Sequence, residues 1–257
     1  MASQSFSRWI LVTAMIAFFS PISPAQDQQK TPDAEGARAS FRQAVEAMEK
    51  KDDPAIALQF LRSSFEKGFD HPSQVLHETG FKPFRDDPTR RAELRKLLGA
   101  HARESSVKMV ADDEKGERML LELEIVDKET SKPLADTRVY LYHTDAEGDY
   151  VPDAESPGGG SENPRLFAFV RSDSTGIATI ASILPGSYRG TDSPRHIHLL
   201  VDREETSAYG TGIYFDTDKS LDDELREEAA SGRIAAVKIK ADEIPHRAHA
   251  KIQVPRG

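Results

Sequence analysis

The stretch Leu121-Glu122-Leu123-Glu124-Ile125 alternates apolar and acidic residues with a period of two. Successive strand side chains point to opposite faces, so this pattern reads as a half-buried β-strand. Val139 and Leu141 alternate with Tyr140 and Tyr142 in the same way, after a turn at Lys132-Pro133-Leu134. Further strands are expected at Leu166–Arg171, Gly176–Ile180, His196–Val201 and Thr211–Phe215, with closing strands near Ala235–Lys240 and His249–Val254. One helix, about Leu221 to Ala230, interrupts the series. Short strands broken by Gly and Pro predict a mainly β fold, an antiparallel β-sandwich with prealbumin- or immunoglobulin-like layers, over residues 118–257.

Upstream of a charged joint at Asp112 to Arg118 the period is helical. Phe41, Ala44, Val45 and Met48 fall on one helix face, and Leu58, Leu61 and Phe65 form a second stripe. Asp52-Asp53-Pro54 and Asp87-Pro88 are start signals, each an acidic cap followed by proline in the first turn. Three or four short helices therefore occupy residues 35–103, as a small segment that resembles degenerate tetratricopeptide-like hairpins. The segment reads equally as a cap on the sandwich and as a surface for a protein partner or self-association.

Residues 26–34 are polar, carry Pro32 and read as a linker. Before them Arg8, an apolar run from Trp9 to Phe19 and the small residues Ser23-Pro24-Ala25 form an export signal over residues 1–25. The run is short for a bilayer span, so cleavage is expected rather than anchoring, giving a periplasmic or extracellular protein without a membrane attachment. The chain of 257 residues has no cysteine, so disulfides and lipidated cysteine are excluded. A net charge of −9 argues against nucleic acid as a partner. Walker, dinucleotide and Gly-x-Ser-x-Gly motifs are missing from the sequence.

The chemistry gathers in His196-Ile197-His198 and two tyrosines upstream. Residues i and i+2 of a strand share a face roughly 6.5 Å apart, so both imidazoles can reach one metal while Ile197 enters the core. Tyr150 ends Asp145-Ala-Glu-Gly-Asp-Tyr150, and Tyr188 ends Pro185-Gly-Ser-Tyr188; each follows a glycine turn able to aim a side chain at one end of the sandwich. A phenol titrates near pH 10 and is a poor neutral ligand, but a hard cation stabilises the phenolate. Two imidazoles and two phenolates without any thiolate suit Fe(III). The connection from Val151 to Pro164, with Gly158-Gly159-Gly160, lacks periodicity and reads as a substrate-facing lip. The acidic run around Asp222 is a solvated helix face, and His246 and His249 are expected at the surface in a proline-containing turn.

Taken in order, Lys132-Pro-Leu-Ala, Val139 through Tyr150, Ser172-Asp-Ser-Thr-Gly, Ile183-Leu-Pro-Gly-Ser-Tyr188, His196-Ile-His198 and Thr211-Gly-Ile-Tyr-Phe215 resemble the catalytic domain of intradiol ring-cleavage dioxygenases, the protocatechuate and catechol dioxygenase group. The resemblance covers roughly residues 118 to 240. It implies Fe(III) held by Tyr150, Tyr188, His196 and His198, a catechol and O2 as small-molecule partners, and cleavage between the hydroxylated carbons to a muconate-type diacid. Tyr188 matches the ligand that leaves when substrate binds, while Tyr140, Tyr142, His143 and Tyr214 match no ligand. Two positions depart from the family: Ser193 stands where an arginine is common and Gly212 where a glutamine is common. Arg195 and Arg189 are the remaining candidate catalytic cations. Two other readings use the same strands: an iron- or small-aromatic-binding module with little turnover, and a prealbumin-like or carboxypeptidase-regulatory-like adhesion module. The last explains Pro185-Gly-Ser-Tyr188 but not Tyr150 together with the histidine pair.

Overall fold

A computed structural model describes residues 33–50, 54–152, 156–203, 208–239 and 244–256. The export signal, nearly all of the linker, Asp52-Asp53 and Lys240 lie outside the described residues. Among the described residues no helix is long and apolar enough to cross a membrane.

The helical segment comprises α1 (Ala34–Glu49), α2 (Pro54–Glu66), α3 (Lys82–Asp86) and α4 (Pro88–His101), with two 3-10 turns at Pro72–Leu76 and Thr79–Phe81. The Asp33 carboxylate accepts from Gly36 N and the Asp87 carboxylate from Arg90 N, satisfying backbone donors that the first helical turn leaves free. The helices close on a phenylalanine cluster in which Phe41 stacks on Phe69 at 4.4 Å and tilts against Phe81. Each such buried ring contributes about 1.5–3 kcal/mol.

Among the described residues nine strands form two sheets. The first sheet runs β1 (Ser106–Lys108), β5 (Ile177–Ile183), β2 (Arg118–Asp127), β9 (His246–Val254); the second runs β4 (Leu166–Arg171), β3 (Arg138–His143), β6 (His196–Val201), β7 (Tyr209–Phe215), β8 (Ala235–Val237). α5 (Asp223–Ala230) is capped by Asp222 accepting from Leu225 N. Leu121, Leu123, Ile125, Val139, Leu141, Ile180, Ile197 and Leu199 are buried in the core.

The sheets are mixed, not wholly antiparallel as the sequence suggested. β1 with β5, β2 with β9, and β7 with β8 pair in parallel. The reason is connectivity: β9 returns beside β2 after the long excursion through the second sheet, and that crossover reverses its sense relative to a hairpin. The three-residue β1 was not foreseen, being too short for periodicity to declare it. His246 is also corrected: it is buried at the start of β9 with Nε2 2.7 Å from Glu117, whereas His249 lies on the open face near Glu122 and Glu124.

Candidate metal centre

β6 lies between β3 and β7, with His198 opposite Tyr142 on one side and Gly212 on the other, and His196 opposite Tyr214. Alternation along β6 sends Ile197 into the fully buried core and both histidines to the outer face of the second sheet. Two stacks hold the imidazoles there. Tyr142 lies on His198 at 4.7 Å and 11°, and Tyr214 on His196 at 5.2 Å and 20°. The sequence matched Tyr142 and Tyr214 to no ligand, and here they line the centre as stacking partners of the histidines. Alternation alone puts Tyr142 on the face opposite to Val139 and Leu141; which side chain it meets there is set by cross-strand register.

The two remaining tyrosines arrive on turns. The Asp145 carboxylate accepts from Glu147 N and Asp149 N, and its carbonyl accepts from Gly186 N. Thr144 Oγ1 donates to the Gly186 carbonyl. The turn that carries Tyr150 is thereby stitched to the turn that carries Tyr188.

Four polar atoms meet in a closed ring. Tyr150 Oη is 2.9 Å from Tyr188 Oη, which is 3.0 Å from His196 Nε2; that nitrogen is 3.0 Å from His198 Nε2, which is 2.8 Å from Tyr150 Oη. His196 Nδ1–H donates to the Pro194 carbonyl at 2.8 Å, so its Nε2 lone pair faces the ring. Burial lowers the affinity of both imidazoles for protons, that of His198 to about 3, with the His196 and His143 charges adding to it; the Pro194 carbonyl partly opposes the effect at His196. Both histidines are therefore neutral at pH 7, as a ligand must be. Burial raises both phenols, with the neighbouring tyrosines adding to the effect at Tyr150 and the Tyr150 hydrogen bond opposing it at Tyr188. They stay protonated unless a cation stabilises the phenolate.

This set fits a hard cation. Two imidazole nitrogens and two phenol oxygens, within 2.8–3.0 Å of one another around the ring and without a thiolate, are a donor set suited to ferric iron. Among the described residues no three His, Asp or Glu side chains gather into a metal-binding group.

The two candidate cations are placed differently. Arg189 sits at the rim, its Nε 3.5 Å from Asp149 Oδ1 and its side chain largely exposed. Arg195 is not brought to the ring. Its Nε and backbone N–H donate to Asp218 Oδ2, and its guanidinium lies over Phe215, whose side chain is in the core. One step along the strand from His196, it points to the opposite side. Ser193 is on the connection between Tyr188 and β6, and Gly212 faces His198 across the ladder, where an added Cβ would be 3.0 Å from the Tyr214 ring. The ring edge of Tyr214 takes the room a larger side chain at position 212 would need.

A family model described as Dioxygenase matches residues 95–252. No curated protein matches the chain. Among solved structures, the chain is similar to the dioxygenase domain of a dioxygenase carbohydrate-binding protein fusion from Streptomyces sp. SirexAA-E, at 16% identity and TM-score 0.44, covering 58% of this chain and 87% of that one. It is also similar to an intradiol ring-cleavage dioxygenase from Tetranychus urticae, at 19% identity and TM-score 0.46, covering 61% and 89%. A third is catechol 1,2-dioxygenase from Pseudomonas arvilla C-1, at 22% identity and TM-score 0.44, covering 59% and 56%.

Proposed function

Because the chain belongs to the intradiol ring-cleavage dioxygenase family, we propose that it is an exported non-haem Fe(III) enzyme that opens a catechol-type ring between its two hydroxylated carbons. The observation that carries this reading is the closed ring of Tyr150, Tyr188, His196 and His198 donor atoms, with edges of 2.8–3.0 Å. Bound ferric iron would supply a Lewis-acidic template for both diol oxygens and for reaction of the ring with O2. The overall change balances without a further reductant: one ring carbon–carbon bond breaks, and both atoms of O2 enter the product as two carboxylic acids.

The protein's part is to bind, orient and move protons. His196 and His198 are fixed on a central strand and stacked on Tyr214 and Tyr142, which sets the ligand directions before substrate arrives. By the family resemblance, Tyr188 is the phenol that would exchange with substrate. Its oxygen lies between Tyr150 and His196, and burial makes its phenolate a strong base, suited to accept a proton from an incoming diol oxygen. Tyr142, Tyr214 and Tyr150 wall the site with aromatic surface, suited to a flat apolar ring. Export rests on the apolar run from Trp9 to Phe19 and the small residues that end at Ala25.

Iron-loaded protein should show a visible ferric–tyrosinate band that shifts when catechol is added, and an oxygen electrode should record uptake with at least one member of a catechol panel. Tyr150→Phe and His198→Ala should each abolish the band. Colour without oxygen uptake would favour the iron- or aromatic-binding module. A colourless iron-loaded protein, or a band surviving both substitutions, would sink the ligand assignment.

A further inference from the structure

The glycine-rich connection after Tyr150 is held from outside the sandwich. Arg165 N donates to the Tyr150 carbonyl at 2.7 Å, closing the loop at its base. Within it, Gly159 N bonds to Ser156 O and Asn163 N to Gly160 O. Gly158, at φ +70°, lies against the Tyr188 ring; a Cβ there would be 3.2 Å from Cε2 and 3.3 Å from Cζ. This lip, residues 156–164, therefore touches the phenol proposed to exchange with substrate.

α4 grips the same lip by three hydrogen bonds. Arg91 Nε donates to the Asn163 carbonyl at 3.0 Å, Asn163 Nδ2 returns a bond to the Pro88 carbonyl at 2.7 Å, and Arg95 Nη1 donates to the Glu162 carbonyl at 2.8 Å. Arg91 is 2% exposed. Its guanidinium also donates to the Arg85 and Asp86 carbonyls at the end of α3, so one fork joins a helix terminus to the lip. A buried charge spent on backbone carbonyls far apart in the chain fixes relative position, because breaking any part of it leaves buried donors unsatisfied. The same helix reaches the site along the sheet: Gly99 packs on Phe169, Phe169 on Tyr140 at 4.8 Å, Tyr140 on Tyr142, and Tyr142 on His198.

We propose that Arg91 and Arg95 are positioning residues that hold the lip against Tyr188, which makes α4 a working part of the substrate site. The consequence for substrate binding rests on the dioxygenase reading; the mechanical coupling of α4 to the lip does not.

The test compares Arg91→Lys and Arg95→Ala with Arg90→Ala, a cation of the same helix that lies over Phe84 instead. Amide hydrogen exchange on the full-length metal-free protein should speed up at residues 156–164 by about tenfold in the first two variants, the factor for one lost hydrogen bond of ordinary strength. Exchange in β3 and β6 should not change, nor should the lip in Arg90→Ala. Arg95 is only half-buried, so its variant keeps the test open if Arg91→Lys folds poorly. Lip exchange equal to wild type, or raised equally by Arg90→Ala, overturns the clamp. In the iron-loaded enzyme, KM for catechol should rise about fivefold while kcat and the visible band hold within about twofold, the pattern of lost binding without lost chemistry. A loosened lip with unchanged KM overturns its role at the site. A wild type that turns over no diol would remove the dioxygenase reading and leave the clamp to be decided by exchange.

Discussion

Gly148 lies so close to Ser187 that a Cβ on the glycine would stand 1.8 Å from the serine carbonyl oxygen. Gly148 is also at φ +93°, a conformation that other residues adopt only under strain. The contact joins the turn of Tyr150 to the turn of Tyr188. Gly148→Ala should therefore separate the two phenols and destabilise the fold by about 2 kcal/mol or more. Urea unfolding measures the stability, and iron titration with the visible band measures the site. Full colour with unchanged stability would contradict this account.

His143 faces the space between the sheets, fully buried, with Nδ1 2.6 Å from the Thr144 carbonyl and Nε2 2.8 Å from Ser182 Oγ. Burial pulls its pKa from 6.5 to about 4, the Thr144 carbonyl opposing the shift. A folded-state pKa below the unfolded one means that the unfolded chain binds the proton more readily. The stabilisation is thus complete above pH 6.5 and is lost as pH falls towards 4, by about 3 kcal/mol in all. His143→Asn should flatten stability against pH across that window, as read by urea midpoints at several pH values. Parallel curves for the two proteins would rule the effect out.

Arg165 makes a two-pronged pair with Glu114, at 2.6 and 2.8 Å, and lies 3.5 Å from Asp145. All three side chains are mostly shielded from solvent. Arg165→Met should cost about 3 kcal/mol, because two carboxylates are left without their cation. Adding Glu114→Gln should recover about 1 kcal/mol or more of that loss. Thermal unfolding of the two singles and the double closes the cycle, and strict additivity would exclude the coupling.

Gly99 of α4 meets the Phe169 ring at the distance where an added Cβ would be 3.0 Å away. Gly99→Val should lift the helix from the sheet and lower stability by about 1–3 kcal/mol. Truncating the ring in Gly99→Val/Phe169→Ala should restore part of it relative to Phe169→Ala alone. A stable Gly99→Val protein with an unchanged melting temperature would show that the helix is not docked there.

The strand through Leu121 to Ile125 was legible because apolar residues recur there at period two, and Leu166–Arg171 and His196–Val201 have the bounds expected of them. The helix start at Pro88 was legible from its cap, Asp87; the later helix was expected from about Leu221 and begins at Asp223, with Asp222, read from sequence as a solvated face, serving as its cap. Parallel pairing was not, since a strand's own alternation is the same whichever way its neighbour runs. At the centre, the four donors could be named from spacing and family resemblance. Their ring of contacts, and the two tyrosines stacked on the histidines, depend on cross-strand register that a single chain does not display. Arg195 illustrates the limit: it was kept as a candidate cation beside His196, and the bond that engages it, to Asp218 23 residues on, leaves no local pattern. The bonds from Arg91 and Arg95 to the lip span some 70 residues of sequence and leave no local pattern.

The four donors differ in how their backbones are anchored. β6 is hydrogen-bonded along both edges, to β3 and β7, so withdrawing either imidazole means tearing the middle of a five-stranded layer. Tyr150 and Tyr188 ride on turns, and a turn can open while the layer stays intact. Failure of the centre is therefore one-sided. Under heat, denaturant or ageing, the phenolic half should let go while the imidazole half is still in register, leaving a worn but folded protein with two of its four arms.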